Sequence, residues 1–180
     1  MVSVIGVDPG ASGAMCLLTK NNSRISMKFW DNEVLLDPDK FFNNFVDDFE
    51  KDMESINPDK IVFEKVHSLG NMSAKSNFSF GANVAISRWF LTVISTAYEL
   101  PFIEITPQKW QKEIEFPSLT KEEKESMDQN QRTKAQKQRA LEYALTLYPE
   151  AKPYLFTKRG RLLDGRVDAL LIAHHGVINE

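Results

Sequence analysis

The chain has 180 residues, 42% of them hydrophobic, which is enough to bury a core and cramped for two, so it reads as a single domain over residues 1–180. Its one cysteine, Cys16, excludes an internal disulfide, and neither a basic-then-apolar leader nor an apolar run near the ~18 residues of a membrane span is present, so the expectation is a soluble, cytoplasmic protein without a membrane partner. The formal net charge of −3 argues against a chain that coats itself in nucleic acid through bulk charge.

In chain order, Val2, Val4, Ile5 and Val7 predict a strand buried on both faces, with the carboxylate of Asp8 at its end. Gly10 and Gly13 make a tight turn, and residues 14–20 return as a second strand in a hairpin. Residues 24–30 alternate Ile25, Met27 and Phe29 with polar neighbours, a third strand. Over 39–56 the period becomes helical, with Phe41, Phe42, Phe45, Val46, Phe49 and Met53 on one side and Asn57-Pro58 as the stop. Residues 60–66 predict a short strand that carries Glu64, and 67–81, "HSLGNMSAKSNFSFG", read as a loop over a site. The helix over 82–99 is apolar around much of its circumference, which implies burial against a second chain.

Residues 101–105 predict another strand, and Thr106 with Pro107 caps and opens a short helix. Residues 114–130 read as an exposed excursion before a basic helix over 133–147, which Pro149 ends. A loop rich in Lys, Arg and Gly leads to a final helix in "DGRVDALLIAHHGVI", with Asp164 just before it and Asp168 in about its first turn. Hairpin-linked strands followed by strands alternating with helices predict an α/β domain whose mixed central sheet carries helices on its faces.

Asp8, Glu64, Asp164 and Asp168 are out of place as ordinary surface acids. The plainer reading has Asp164 capping the last helix, Asp168 favoured near a helix N-terminus, and Glu64 paired with Lys65 or an arginine. Taken together, acids gathered at one sheet edge repel one another unless divalent cations lie between them, and oxygen-rich clusters suit Mg²⁺ or Mn²⁺. Two such ions, about 3.5–4 Å apart, activate a water and stabilise the leaving 3′ oxygen in phosphodiester hydrolysis. The basic runs "QRTKAQKQR" (131–139) and "TKRGR" (157–161) would hold a phosphate backbone, and loop aromatics would stack on bases; the alternative for these cations is a solvated helix face.

The stretches "GVDPGASGA", "VFEKVHS" with "SNFSFG" after it, "TPQKWQK" and "DGRVDALLIAHHG" resemble, in that order and over most of the chain, the RuvC-type Holliday junction resolvases in their phage or prophage form. The resemblance implies an RNase H-like fold, a homodimer and Mg²⁺-dependent symmetric nicking of four-way DNA junctions in a bacterial cytoplasm. It assigns Asp8, Glu64 and Asp168 to catalysis and metal binding. The fourth acid departs from one common spacing: Gly165 stands where some relatives have it, and Asp164, within the same helical turn, takes its place. Where bacterial relatives have a stacking aromatic this chain has His67, so Phe78 or Phe80 is left as the wedge, with core packing as the alternative. Lys109 and Lys134 sit where the family has DNA-facing lysines, with Lys137 beside them. His174 and His175 are helix-face residues, since imidazole suits Mg²⁺ poorly.

Three other readings remain at this stage. "DPGASG" also resembles the phosphate loop of actin-like sugar kinases and chaperone ATPases, whose duplicated domain this chain lacks the length for. A junction-binding module without catalysis and a nuclease for wider branched or flap DNA keep the same surfaces with different outcomes.

Overall fold

The computed structural model describes residues 1–180 except 11, 42–44, 67–72 and 180. Strand alternation sorts its core: in β1 (Val2–Asp8), Val4 and Gly6 face one side of the sheet while Ile5 and Val7 face the other. β1 pairs antiparallel with β2 (Ala14–Asn21), which pairs antiparallel with β3 (Arg24–Asp31). On its other edge β1 pairs in parallel with β4 (Lys60–Glu64), and β4 in parallel with β5 (Phe102–Ile105). The resulting order is β3-β2-β1-β4-β5, the mixed sheet that the sequence predicts.

Parallel neighbours need crossovers, and helices supply them. These are α1 (Pro38–Lys40) and α2 (Val46–Ile56) before β4 and α3 (Ala74–Ala97) before β5; after the last strand come α4 (Pro107–Glu113), α5 (Lys121–Ser126), α6 (Gln129–Leu147) and α7 (Asp164–Ile178). One face of the sheet buries Ile5, Val7, Leu17 and Phe63 against Phe49 and Met53 of α2 and Leu91 of α3. The other buries Val4, Cys16, Leu18 and Val62 against Trp110 of α4, Ala144 of α6 and Leu170 and Ala173 of α7. Among the described residues no helix is long and apolar enough to cross a membrane.

Several boundaries differ from the sequence reading. Residues 74–81 are the first two turns of α3 and not a loop, so Phe78 and Phe80 are helical. The Ser, Asn and Gly of this stretch disguise a helix whose N-cap is Ser73, its hydroxyl accepting from the Ser76 amide at 3.1 Å. Packing of Val84, Phe90, Leu91 and Ile94 on the sheet outweighs the weak propensity upstream. The excursion contains α5, and α6 starts at Gln129; Thr120 with Glu123 and Asp128 with Gln131 form capping boxes that pin both starts. Phe45 and Phe49 are buried as expected of an amphipathic helix, whereas Phe42 and His67 lie outside the described residues. The last helix begins at Asp164 itself.

α7 lies close against β1. A Cβ on Gly6 would stand 2.2 Å from the Ala173 amide nitrogen and 2.4 Å from the Ala169 carbonyl oxygen, so only glycine permits this approach. Gly6→Ala is therefore expected to cost about 3 kcal/mol or more, measured by urea unfolding, because both opposing atoms are backbone and cannot rotate away.

Candidate active site

Asp8 shares its strand parity with Val4 and Gly6, and Glu64 shares its parity with Val62, so both side chains fall on the α7 face. The parallel register sets Val7 beside Phe63, which brings Asp8 and Glu64 side by side at the carboxyl ends of β1 and β4. α7 begins at the same place: Gly13 and Gly165 form a bridge, and a Cβ on Gly165 would stand 2.1 Å from the Ser12 carbonyl oxygen. Asp164 and Asp168, four residues apart, lie on one face of the first turns of α7. Three elements thus bring together four acids from three distant stretches of the chain.

The electrostatics record the convergence. Burial, and then the neighbouring Asp164, push the Asp8 carboxyl up to about 6 against the pull of the Gly10 amide, which donates to Asp8 Oδ1 at 3.1 Å. Burial, with Asp8 beside it, raises Glu64 to about 7 although the Trp110 indole donates to Glu64 Oε1 at 2.8 Å. Asp168 is pushed well above the usual carboxylate range by burial and by the charges of Asp8, Glu64 and Asp164. One cation tempers the group: Lys137 of α6 pairs with Asp164. Among the described residues no three of the acids stand at the spacing of a closed metal site, so the side chains are near one another without sharing a centre. Hard carboxylate oxygens, mutually repelling and short of donors, are nonetheless the donor set that Mg²⁺ or Mn²⁺ takes.

Supporting groups fix this arrangement. The buried Asn32 side chain donates to the carbonyls of Asp8 (2.6 Å) and Gly10 (3.1 Å), clamping the β1–β2 turn. Arg166 of α7 grips Asp31 through two bonds of 2.7 and 2.9 Å. His175 Nε2 meets Glu113 at 2.5 Å and His174 Nδ1 meets the Tyr148 hydroxyl at 2.7 Å, so both histidines are engaged away from the acids. Trp110 and Asn32 escape a sequence reading because a buried Trp or Asn carries no periodic signal; the Trp in "TPQKW" is legible only as core.

The expected DNA contacts are placed unevenly. Lys134 and Lys137 line a groove beside α6, with Lys137 turned onto the acids. Lys109 is exposed and lies 3.9 Å from Glu113 in its own helix. Phe78 is 80% exposed on α3, while Phe80 is partly buried and belongs to neither core cluster.

No protein-family model matches the sequence, and no characterised protein matches it by sequence comparison. Solved structures do. The chain is similar to T. thermophilus RuvC in complex with a Holliday junction substrate, with a TM-score of 0.57 and 12% identity over 98% of this chain and 93% of that one. It is also similar to a second Thermus thermophilus RuvC structure, with a TM-score of 0.50, 12% identity and the same coverage of 98% and 93%. A yeast mitochondrial Holliday junction resolvase gives a TM-score of 0.54 and 16% identity over 97% of this chain and 77% of that one. What is shared at these identities is the fold, and the chain has the RNase H-like fold of these resolvases.

The repulsion among the acids has a measurable consequence. Because Glu64 titrates near 7 when folded and near 4.5 otherwise, its charge opposes folding fully above about 7 and ceases to as the pH falls below 4.5. Glu64→Gln keeps an acceptor for Trp110, so the metal-free variant is expected to melt about 3–6 °C above wild type near pH 8, with the gap closing toward pH 4.5 in thermal scans.

Proposed function

We propose that the protein is a divalent-metal-dependent endonuclease that resolves four-way DNA junctions by paired nicks. The observation that carries this reading is the convergence of Asp8, Glu64 and Asp168, withdrawn from water and mutually repelling, with the charge of Asp164 beside them, at the carboxyl ends of two parallel strands. The resolvase folds it resembles add support, one of them solved with a junction substrate.

Asp8, Glu64 and Asp168 would hold the metal, with Asp164 as the fourth, more outlying ligand. With all four ionised and Lys137 beside them, three negative charges remain, which two divalent ions would turn into a single positive charge that a phosphodiester neutralises. Ions bound there would lower the pKa of the attacking water and take up charge on the leaving oxygen. The chain's own groups do the positioning. Trp110 orients the Glu64 carboxylate, Gly10 and Asn32 hold Asp8 and its turn, and α6 places Lys134 and Lys137 in one groove, where they would meet the phosphate backbone beside the acids. In the reaction an oxygen–phosphorus bond forms from water while the bond to the 3′ oxygen breaks, leaving a 5′ phosphate and a 3′ hydroxyl.

Paired nicks in a two-fold symmetric substrate call for two sites, and the outward face of α3 supplies a surface for a second copy. Ile86, Trp89 and Val93 recur there at helical spacing, and Trp89 is 69% exposed. Phe78, at the start of the same helix, is the aromatic free to insert between bases at the branch point.

Asp8→Asn is expected to lower cleavage of a synthetic four-way junction by at least about 10³-fold in Mg²⁺ or Mn²⁺ while leaving junction affinity within a few-fold of wild type, read by gel cleavage and shift assays. Near-normal cutting by that variant would overturn the assignment; wild-type binding without nicks would make the chain a junction-binding module. Trp89→Glu is expected to weaken self-association by about 100-fold or more, read by light scattering after gel filtration, and to convert paired nicks into single ones.

A further inference from the structure

Two cation-lined grooves flank residues 161–163, the segment that leads into Asp164, and the nuclease reading uses only one of them. The first runs beside α6, with Lys134 and Lys137 on one wall and Leu162 on the other. The second is a cleft of about 580 Å³ across the same segment, with Ser12, Gly13, Lys158, Arg161, Leu163 and Arg166 among its walls. Leu162 therefore faces one groove while Arg161 and Leu163 face the other, as alternate side chains of an extended segment do. Residues 161–163 form a ridge that ends at Asp164.

The ridge is anchored. Phe156 and Leu162 form an antiparallel bridge and both pack on the core, and the Leu163 amide donates to the Leu155 carbonyl at 2.9 Å. The turn above is closed by Thr157, whose amide donates to the Arg161 carbonyl at 2.8 Å, and by Gly160 at φ 77°. Lys158 and Arg161 thus project from a fixed frame.

The charge of the cleft is uncompensated. Its two acids are taken, Asp31 by Arg166 and Glu33 by Lys40 at 3.3 Å. Among the described residues, Lys158, Arg159 and Arg161 have no acidic partner. Cations held on a rigid turn, beside a cleft that starts next to Asp8 and Asp164, match a run of backbone phosphates.

We propose that this cleft is a second phosphate path, and that the 161–163 ridge stands between two DNA strands where they part at the cleaved phosphate. The inference rests on the nuclease reading and deepens it, since two paths diverging from one centre fit a branch, whereas an unbranched duplex engages one. The test compares Lys158→Gln/Arg161→Gln with wild type, without divalent metal, on a four-way junction and on a linear duplex of the same sequence across a salt series. The expected result is a junction affinity lowered at least about 30-fold, with the salt slope reduced by about 2, and a duplex affinity lowered less than about 3-fold. Lys158→Arg/Arg161→Lys should restore junction binding, and Lys134→Gln should weaken both DNAs. Unchanged junction affinity, or equal losses on the two DNAs in a protein whose wild type prefers the junction, overturns the second path alone. A wild type that does not prefer the junction overturns this inference together with the junction-resolving function.

Discussion

Everything at the candidate site depends on how closely α7 lies on β1. A helix packed on a sheet through large side chains keeps its backbone well clear of the strands. Here Gly6 meets the backbone of Ala169 and Ala173, and Gly165 meets that of Ser12 and Gly13, so the N-terminal turns of α7 drop to the level of the strand ends. Only at that depth do Asp164 and Asp168 fall within electrostatic reach of Asp8, whose carboxyl, like that of Asp168, is raised partly by the neighbouring charges. The small residues in "DGRVDALLIAHHG" are the geometric condition for the acids to meet. Arg166, gripping Asp31 at the end of β3, holds the same helix start from the other side.

That proximity works against the stability of the metal-free protein. Carboxylates withdrawn from water and set beside one another favour unfolding, where they separate and rehydrate. Two features offset part of the cost. The N-terminus of α7 carries the positive end of its dipole, which favours Asp164 and Asp168, and Lys137 lies against Asp164. The hydrogen bonds from Gly10 and Trp110 favour the ionised forms of Asp8 and Glu64, yet burial still prevails in both. A fold that keeps acids in so unfavourable a place has stability concentrated elsewhere, in the two apolar layers on either side of the sheet, and a local deficit that ligand binding can relieve.

Much of this was legible in the sequence, for identifiable reasons. A period of two is enough to put Asp8 on the side of Val4 and Glu64 on the side of Val62, and a spacing of four puts Asp164 and Asp168 on one helix face. The switch from hairpins to alternating strands and helices implied the mixed sheet. What was hidden depends on contacts between distant residues. Nothing in "TPQKW" announces that the Trp110 indole reaches Glu64, nor that Asn32 spans the first turn. Lys137 reads as one more cation on a basic helix, and only the packing of α6 beside α7 makes it the neighbour of Asp164. The start of α3 was missed because a single serine cap and packing two turns downstream decide it against a polar, glycine-containing composition.

The net charge of −3 does not conflict with a nucleic-acid partner, because the charges are unevenly placed. α2 packs on one face and exposes Asp47, Glu50 and Glu54 to solvent, while Lys28 pairs with both Asp48 and Asp52 beside it and offsets one of their two charges. The cations of α6 and of the 157–161 turn belong to the opposite face, with the apolar core between the two sets. A polyanion nearing the molecule therefore meets repulsion on the α2 side and attraction around the grooves, a field that orients the approach before any contact forms. Lys137 ties the cations of α6 to the acids of the site through Asp164, so a phosphate drawn toward α6 nears a cluster of negative charge. Binding there without metal is opposed by the same field that favours binding with it, so the local arrangement of charge, and not its sum, decides what this surface can hold.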